Sequence, residues 1–295
     1  MTPIAHLPDH LRLQVERSCV LRDQVSYRGR FAPTPSGPLH LGNLQTALLS
    51  WLRAKQARGL WLLRIDDLDT PRIRPGSIAQ IVHDLGWLGL TWDGPLIFQS
   101  RRRGIYYSWL SWMRRAGFVY PCRCTRRQLS GFDIYPGFCR TGFQPWGWTD
   151  QRLPCWRLRL SQFAPRHEDC IVRRADQIVS YHFASVIDDA LLGITDILRG
   201  EDLFDVASLQ KSLFDFLEFS TPTFDYAPLR RDHSGRKLSK RLSSSGLQSL
   251  ASSGFLPEDV IGLLAADLSL VPRGSRLSAD DLLNHVICRC AATDS

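Results

Sequence analysis

The stretch between residues 30 and 65 restricts the fold more than any other part of the chain. Residues 30–32 are typical of the end of a short strand, and the prolines and glycine of residues 33–38 force a turn after it. Apolar residues then recur at helical spacing from 44 to 52, which predicts a helix that begins near residue 42. A compact apolar run at 60–65 predicts a second strand. This order is that of a βαβ unit, so we expect an α/β protein with a Rossmann-like nucleotide-binding domain.

The turn before this helix is a candidate phosphate-binding site. His40 and the backbone N–H groups of the first helical turn face one spot, where the positive end of the helix dipole favours phosphate. Gly42 has no side chain that would block a nucleotide lying close to the backbone. The alternative is a proline-rich turn before an ordinary amphipathic helix, with His40 merely in solvent.

A second candidate phosphate-binding segment lies near residue 240. The chain has only four lysines, and two of them, Lys237 and Lys240, share one loop that is rich in serine and glycine. Such a loop can close over a ligand, and a compact ammonium on a flexible stem suits a triphosphate. We expect these lysines to neutralise charge as pyrophosphate leaves; the alternative is a solvated basic loop.

Composition narrows the class of protein. The 295 residues are 44% hydrophobic and 22% charged, which is typical of a globular chain with a sizeable core and about two domains. No apolar run approaches a membrane span, and residues 1–28 lack the apolar core of a signal peptide. Eight cysteines without a secretion signal indicate a reducing compartment, so we expect a cytoplasmic protein without membrane contact. The net charge of +8 fits a polyanionic partner.

The composition changes from residue 121 to about residue 161, where cysteine, glycine, proline and tryptophan replace any helical period. We expect an inserted subdomain there. Three thiolates and a phenolate in this stretch can complete the tetrahedral donor set that structural zinc prefers. These donors are Cys122, Cys124, Tyr135 and Cys139. Alternative fourth ligands are Cys155, Cys170 and His167.

Periodicity predicts the remaining elements. Helices are predicted at 78–88, 105–113, 203–217, 247–253, 257–268 and 279–287. Residues 156–160 alternate apolar and basic side chains, which predicts a half-exposed strand with a basic face. Residues 178–187 predict a buried strand.

These elements predict four regions along the chain. They are an N-terminal extension (1–27), a nucleotide-binding catalytic domain (28–120 and 176–230), an inserted zinc-containing subdomain (121–175), and the lysine loop with a short helical C-terminal region (231–295).

Several short motifs occur together in this order. Residues 33–43 contain His40-Leu41-Gly42-Asn43, and residues 237–241 read Lys-Leu-Ser-Lys-Arg. The other motifs are Arg30-Phe31-Ala32-Pro33, Arg64-Ile65-Asp66-Asp67-Leu68-Asp69, Val186-Ile187-Asp188-Asp189 with Gly193-Ile194-Thr195, and Leu198-Arg199-Gly200-Glu201-Asp202. The first two resemble the HIGH and KMSKS signatures of class I aminoacyl-tRNA synthetases, and the set resembles the glutamyl-tRNA synthetase catalytic domain over roughly residues 28–247. The resemblance implies activation of a carboxylate by ATP, with Mg²⁺, to an acyl-adenylate.

The resemblance also implies roles for the matching residues. Arg30 and Arg199 are similar to the family's substrate arginines, and each can bind a carboxylate in a bidentate way. Asp66 resembles the acidic residue that takes the substrate ammonium, and Tyr181 can donate its hydroxyl to a substrate carboxylate. The same pocket is lined by Phe31, Ala32, Pro33 and Thr34. The implied ATP-binding set is His40, Gly42, Asn43, Lys237 and Lys240, of which His40 and Lys240 stabilise the transferring phosphates. A structural ion pair between Arg30 and Asp66 is the alternative.

Three positions depart from the family pattern. Asp66 stands where the family usually has glutamate, and Ala190 stands where a histidine commonly follows the paired aspartates. Arg241 replaces the usual small or polar residue that closes the lysine motif. None of these removes a group essential to adenylation, but each can change affinity or substrate choice.

Within the family, the chain is similar to truncated paralogues that lack an anticodon-binding domain and modify tRNA(Asp). It ends about 50 residues after its lysine loop, and its three cysteines and Tyr135 match that subfamily's zinc pattern. The resemblance implies activation of L-glutamate by ATP and its transfer to queuosine at the wobble position, in the anticodon loop of tRNA(Asp), by a monomer. The alternatives are a minimal glutamyl-tRNA synthetase that charges a tRNA 3′ end, and an inactive tRNA-binding paralogue.

Overall fold

The chain divides into two compact units in a computed structural model that describes residues 7–160, 169–228 and 247–293. The parallel-sheet unit comprises Arg22–Phe98, Ile194–Phe204 and Pro222–Ser295. The antiparallel-sheet unit comprises Met1–Leu21, Gln99–Gly193 and Asp205–Thr221. Each unit is therefore assembled from segments that are distant in sequence.

The described residues form helices and short strands in alternation. The helices are α1 (Asp9–Asp23), α2 (Leu41–Gln56), α3 (Ser77–Trp87), α4 (Arg103–Arg115), α5 (Tyr181–Leu191), α6 (Phe204–Phe216), α7 (Leu247–Ser252), α8 (Pro257–Asp267) and α9 (Ala279–Thr293). The strands are β1 (Arg28–Phe31), β2 (Leu60–Ile65), β3 (Ile97–Phe98), β4 (Val119–Cys122), β5 (Cys155–Leu158), β6 (Ile171–Arg173), β7 (Asp196–Gly200) and β8 (Thr223–Ala227). Among the described helices, none has the length and apolar character that crossing a membrane requires.

Parallel strands frame the parallel-sheet unit. β1, β2 and β3 pair in parallel, and β7 and β8 form a second parallel pair. Two hydrogen bonds join Arg28 to Thr195, so the residue before β7 lies beside the start of β1. Because β1 and β7 begin at this point and contact each other, they run in the same direction. The carboxyl ends of β1, β2 and β7 therefore share one edge, where open α/β sheets bind their ligands.

Helix α2 covers this sheet with its apolar face. It contacts β1, β2 and β7, and its Leu44, Leu48 and Leu52 are buried almost completely. Burial of each such side chain contributes about 1.5–3 kcal/mol, which holds the helix against the strands. The helices α8 and α9 pack on α2 in turn. The turn that joins β1 to α2 is thus held between two well-packed elements.

An antiparallel sheet and a buried carboxylate organise the second unit. β4, β5 and β6 pair antiparallel, with Cys122 opposite Cys155. The fully buried carboxylate of Asp188, on α5, accepts hydrogen bonds from Gln99 Nε2 at 2.9 Å and from Tyr106 Oη at 2.7 Å. Arg102 Nε adds a charge-assisted bond at 2.6 Å. These bonds fix α5 to α4 and to the segment before it.

Most of the predicted helices are confirmed. The predicted helices at 78–88, 105–113 and 203–217 correspond to α3, α4 and α6. The three predicted C-terminal helices are α7, α8 and α9, the last extending six residues further than expected. The helix after the proline-rich turn begins at Leu41, one residue before the predicted start.

The prediction of a buried strand at 178–187 is wrong, because Tyr181–Leu191 form helix α5. Ser180 caps this helix, with its side chain accepting from the Phe183 backbone N–H at 3.4 Å. Nearly every residue of α5 is buried, so its apolar run lacks the one-sided pattern of a surface helix. A short, continuous apolar run of this kind does not distinguish a buried strand from a buried helix.

The predicted strand near 156–160 is present as β5. The prediction that its basic side chains are exposed is wrong for Arg157. This side chain is only 6% exposed. Its guanidinium lies 3.7 Å from the centre of the Tyr135 ring and donates to the Asp169 carbonyl at 2.6 Å. The Tyr135 ring and the Asp169 carbonyl make burial of this arginine favourable. The alternation of apolar and basic residues in the sequence does not reveal these partners.

Candidate active site and metal centre

The turn between β1 and α2 holds His40 at the N-cap of the helix. Its Nδ1 accepts a hydrogen bond from the backbone N–H of Asn43 at 3.1 Å, and its own backbone N–H donates to Asn43 Oδ1 at 3.3 Å. This reciprocal pair is a capping box. Because a backbone N–H can only donate, the neutral imidazole carries its hydrogen on Nε2. His40 therefore has a fixed tautomer, which its sequence motif alone does not reveal.

Gly42 leaves room for this imidazole. A Cβ atom at Gly42 would lie 3.1 Å from both Cε1 and Nδ1 of His40, which is closer than ordinary van der Waals contact. Glycine at position 42 therefore avoids a clash with His40. The sequence had suggested a different reason, which is access for a nucleotide.

Three buried charges lie at the carboxyl ends of the parallel strands. Arg30 is near the end of β1, Arg199 is near the end of β7, and Asp66 follows β2 directly. Their exposed fractions are 6%, 5% and 4%. The Arg199 guanidinium also lies 4.9 Å from the centre of the Phe224 ring. Groups able to bind two carboxylates and one ammonium thus share one edge of the sheet.

Asp66 forms a buried ion pair that sequence reasoning missed. Arg64 Nε donates to Asp66 Oδ1 at 2.7 Å and Arg64 Nη2 donates to Oδ2 at 3.3 Å, with both side chains at most 2% exposed. The sequence offered a signal, because Arg64 is the only charged residue in the apolar run 60–65. A charge at a buried strand position requires a partner. The bidentate pair holds the Asp66 carboxylate in one orientation.

The residues after β1 lie close to this carboxylate. The backbone N–H of Asp66 donates to the Pro33 carbonyl at 3.0 Å, which ties the turn to the end of β2. Phe31 is buried, with its ring 6.2 Å from that of Trp61 and nearly parallel to it. Ala32 and Thr34 are partly exposed and lie between these fixed points. Residues 31–34 therefore lie at the sheet edge where the sequence predicted them.

The other predicted substrate and phosphate residues belong to other segments of the chain. Tyr181 belongs to the antiparallel-sheet unit, where it is the first residue of α5 and is 41% exposed. Lys237 and Lys240, and with them the lysine loop, lie outside the described residues.

The candidate metal donors lie together beside β4. The thiol sulfurs of Cys122, Cys124 and Cys139 all lie within 4.8 Å of one another, and those of Cys124 and Cys139 are 3.6 Å apart. Tyr135 Oη is 3.4 Å from the Cys122 sulfur and 3.7 Å from the Cys124 sulfur. A tetrahedral zinc with bonds of about 2.3 Å to sulfur and about 2.0 Å to oxygen requires S···S separations of about 3.8 Å and S···O separations of about 3.5 Å. The donor set fits zinc by this test.

Hydrogen bonds and burial shift the pKa values of these donors in opposite directions. The pKa of the Cys122 thiol is lowered, first by a hydrogen bond from Cys155 and then by one from Tyr135. Burial raises the pKa of Cys124 and of Tyr135. The backbone N–H of Cys139 donates to Tyr135 Oη at 3.0 Å, which orients the phenol oxygen toward the sulfurs. Cys122 is thus the donor most readily present as an anion.

A second layer of contacts supports the donors, and sequence reasoning missed it. The fully buried Asp169 accepts from Tyr120 Oη at 2.7 Å and from Arg140 Nε at 2.6 Å, and its carbonyl accepts from Arg157. Arg157 in turn covers the Tyr135 ring. These partners are distant in sequence, so no local pattern predicts them.

The alternative fourth ligands differ in position. Cys155 donates its thiol hydrogen to the Cys122 carbonyl at 3.3 Å and is not one of the three mutually close thiols. Cys170 is buried just before β6 and is also outside that group. His167 lies outside the described residues. Tyr135, the predicted fourth ligand, has its hydroxyl within 3.7 Å of two of the three sulfurs.

Comparison with known proteins agrees with this geometry. A family profile described as tRNA synthetases class I (E and Q), catalytic domain, matches residues 26–132 and 160–267. The solved structure of a glutamate tRNA ligase from Elizabethkingia meningosepticum CCUG26117, in complex with its amino acid, matches with a TM-score of 0.72 and 25% identity. This match covers 87% of the chain and 64% of that protein, so the chain spans slightly less than two thirds of its length. The chain belongs to the class I tRNA synthetases of the E and Q group and has their α/β catalytic fold.

Sequence relatives narrow the assignment. A glutamyl-Q tRNA(Asp) synthetase from Parasynechococcus marenigrum (strain WH8102) is 56% identical over 281 residues, which are 95% of this chain and 96% of that protein. Another, from Yersinia pseudotuberculosis serotype I (strain IP32953), is 41% identical over 74% of this chain and 69% of that protein. Within its class, the chain therefore belongs to the glutamyl-Q tRNA(Asp) synthetase family. The predictions of this family and of an ATP-dependent ligase are confirmed.

Proposed function

We propose that the protein activates L-glutamate with ATP and transfers the glutamyl group to queuosine at the wobble position of tRNA(Asp). The observation that carries the proposal is the 56% identity, over nearly the whole chain, to a protein named for this activity. The glutamate tRNA ligase fold and the buried charges at the sheet edge support the choice of glutamate.

Glutamate binds at the carboxyl ends of β1, β2 and β7 in this proposal. Arg30 and Arg199 bind its carboxylates, because a guanidinium can bond both oxygens of a carboxylate at once. Asp66 accepts from the ammonium. Its bonds to Arg64 do not prevent this, because each carboxylate oxygen has a second lone pair. Tyr181 donates to a substrate carboxylate. The pocket walls come from Phe31, Ala32, Pro33 and Thr34.

Activation is a displacement at phosphorus. An oxygen of the α-carboxylate attacks the α-phosphorus of ATP, the bond to the bridging oxygen breaks, and pyrophosphate leaves with the electron pair. His40 donates from Nε2 to a phosphate oxygen, while Gly42 and Asn43 leave the first backbone N–H groups of α2 near the nucleotide. Lys237 and Lys240 neutralise the leaving pyrophosphate. Magnesium, when bound with ATP, supplies further positive charge to the phosphates.

Transfer then joins glutamate to the RNA. A hydroxyl of queuosine attacks the carbonyl carbon of the adenylate, loses its proton, and displaces AMP. A base in an unpaired anticodon loop can leave its stack and enter a pocket, which is how RNA is commonly read in detail. The wobble position therefore suits a reaction at the sheet edge.

We also propose that zinc holds the insertion, residues 121–175, together. Its ligands are Cys122, Cys124, Cys139 and Tyr135. The support is the close spacing of four donors of the right chemical type within a segment that has few buried apolar side chains of its own. When bound, the ion supplies a cross-link among four side chains of residues 122–139 and has no part in the reaction.

Transfer of labelled glutamate tests the acceptor. We expect label on tRNA(Asp) from cells that make queuosine, and none on tRNA(Asp) from cells that lack it or on tRNA(Glu). Removal of the 3′-terminal adenosine should leave the label in place. Label lost with that adenosine, or equal labelling without queuosine, would identify a small synthetase that charges a tRNA 3′ end. Absence of glutamate-dependent pyrophosphate exchange in the presence of ATP and Mg²⁺ would identify an inactive paralogue.

A further inference from the structure

Arg64 is the least exposed of the arginines that the described residues bury, and the proposed reaction gives it no role. The residue is 0% exposed and belongs to β2, whose other residues are all apolar. Removing a charge from water is costly unless the charge is paired. An apolar pair of similar volume stabilises a protein interior as well as a buried ion pair does, or better. Stability alone therefore does not account for a charge at this position.

The strand pairing puts Arg64 on the same face of the parallel sheet as Arg30. Side chains alternate between the two faces along a strand. Trp61 donates a hydrogen bond to Ser50 of α2, and its ring lies beside that of Phe31, so both rings are on the face that α2 covers. Arg30 precedes Phe31 by one residue and Arg64 follows Trp61 by three, so both arginines lie on the opposite face. Arg64 thus shares a face with one of the arginines proposed to bind the substrate carboxylates.

Arg64 fixes the plane of the Asp66 carboxylate. Its Nε donates to Oδ1 at 2.7 Å and its Nη2 donates to Oδ2 at 3.3 Å. The last torsion of an aspartate side chain is otherwise broad, so the carboxylate of an unpaired aspartate turns easily. The two-point contact removes this freedom and occupies one lone pair on each oxygen. The remaining lone pairs point away from Arg64, so a further donor approaches the carboxylate from that side.

We propose that Arg64 is a positioning residue that fixes the direction from which Asp66 accepts the ammonium of the amino acid. The inference rests on the proposed function and gives a part in substrate selection to a side chain that acts through another residue. An ammonium is a compact charge with three donors, which a freely turning carboxylate would bind at many angles. A fixed carboxylate binds it in one place relative to the arginines that hold the carboxylates. Recognition of the amino group therefore depends on the two-point contact as well as on the charge of Asp66.

Arg64→Lys tests the proposal, because lysine keeps the positive charge but is a point charge that cannot hold both oxygens as a fork does. The assay is glutamate-dependent pyrophosphate exchange without RNA, with glutarate as a competitive inhibitor. Glutarate has both carboxylates of glutamate and no ammonium. We expect the KM for glutamate to rise about tenfold, which is the least that a hydrogen bond to a charged group contributes. The kcat should be nearly unchanged, as expected for a loss of binding that substrate and transition state share. The Ki for glutarate should change less than about twofold.

The two constants separate a positioning role from a structural one. A general disturbance of the site would weaken glutamate and glutarate together, so an equal rise of KM and Ki would overturn the proposal, as would an unchanged KM. Arg53→Lys is the matched control, because Arg53 also pairs with an aspartate of the parallel-sheet unit, Asp225, and lies outside the site, in the last turn of α2. It should change neither constant.

A second comparison guards against a folding defect in Arg64→Lys. It uses Asp66→Asn alone and Asp66→Asn together with Arg64→Gln, a double variant that leaves no unpaired charge in the interior. If Arg64 acts only through Asp66, the double variant should have a KM for glutamate within about twofold of that of Asp66→Asn. A further rise of about tenfold would show that Arg64 acts on the substrate by itself and would overturn the proposal. An unchanged KM in Asp66→Asn would overturn it as well.

The parent protein separates this inference from the function on which it rests. If the parent shows no glutamate-dependent exchange, the proposed function fails. If glutarate does not inhibit the parent, the assignment of two arginines to the substrate carboxylates fails. If the parent exchanges and is inhibited, and the variants do not separate glutamate from glutarate, only the positioning role of Arg64 fails.

Discussion

At the scale of single residues, His40 has a structural role in the fold and a separate role in the proposed reaction. Its Nδ1 accepts the N–H of Asn43 and so caps α2, while the same bond places the hydrogen on Nε2. Capping requires only an acceptor near the backbone, whereas donation to a phosphate requires Nε2–H. The two roles belong to different atoms and can therefore be separated by substitution.

His40→Asn should retain the cap and lose activation. Asparagine is a good N-cap residue, so we expect a Tm within about 2 °C of the parent. Its shorter side chain lacks the Nε2 donor, and the rate of glutamate-dependent pyrophosphate exchange should fall about 10²-fold, the typical loss for one preorganised donor. His40→Ala should lose about 1 kcal/mol of stability in addition. Full exchange activity in His40→Asn would show that the histidine is only a cap.

At the scale of secondary-structure elements, buried polar groups fix how helices are joined. Asp84, on α3, is 1% exposed and accepts from Gln80 Nε2 at 2.5 Å. Gln80 Oε1 in turn accepts from Gln248 of α7 at 2.6 Å. Burial raises the pKa of Asp84, and the hydrogen bond from Gln80 opposes this only in part. The neutral carboxyl is thus favoured in the folded state.

The pH dependence of stability should report on Asp84. Because its folded pKa is raised above the ordinary value, stability is highest when the group is protonated and falls as pH rises through the folded pKa. Asp84→Asn should therefore have a higher Tm than the parent at neutral pH. The difference should vanish as pH falls below the ordinary aspartate pKa. An Asp84→Asn chain that is less stable than the parent at neutral pH would refute this.

Asp281, in the first turn of α9, provides a control because its pKa is shifted in the opposite direction. Hydrogen bonds from the side chain and backbone of Ser278 lower the pKa of Asp281. Its ionised form is thus favoured on folding, and the stability it adds is lost as pH falls through the folded pKa. Asp281→Asn should be less stable than the parent at neutral pH, in contrast to Asp84→Asn.

The insertion offers a test of the metal. We expect about one zinc per chain by metal analysis, and its loss in Cys124→Ser, because a hydroxyl is a poor zinc ligand. Proteolysis should then cut faster within residues 121–175, while ATP binding to the parallel-sheet unit persists. Cys288→Ser, at an exposed cysteine outside the insertion, should keep its zinc. Equal zinc content in both variants, or none in the parent, would reject the site.

At the scale of the whole molecule, the proposed function assigns the buried and the exposed positive charges to two different tasks, binding of glutamate and binding of RNA. Arg30 and Arg199 are buried at the sheet edge, while most of the net charge of +8 comes from the insertion. Exposed charges act on RNA through released counterions and are screened by salt. Buried charges near a small substrate are screened much less.

Raising the salt concentration should therefore separate the two tasks. Between about 50 and about 200 mM salt, we expect the Kd for tRNA to rise at least about tenfold. The KM for glutamate in pyrophosphate exchange without RNA should change less than about twofold. Equal salt sensitivity of the two constants would show that the protein charges that bind glutamate are screened by salt as strongly as those that bind RNA.

Some of the molecule follows from local sequence patterns. The β1–turn–α2 unit was predictable because proline, glycine and helical periodicity act over a few residues. The end of the second predicted strand located Asp66 at the sheet edge. The roles of Arg30 and Arg199 were predicted only from the resemblance to a known family. The metal donors were predictable because they are close in sequence, with Cys122 and Cys124 separated by a single residue.

Other features were decided only by tertiary structure. The run at 178–187 forms helix α5 because contacts on all sides bury it, and burial removes the periodicity that identifies a helix. Arg157 is buried because Tyr135 and Asp169 lie beside it in space. Local chemistry thus determined which groups this protein presents, whereas long-range packing decided which of them meet, because partners distant in sequence leave no trace in a local pattern.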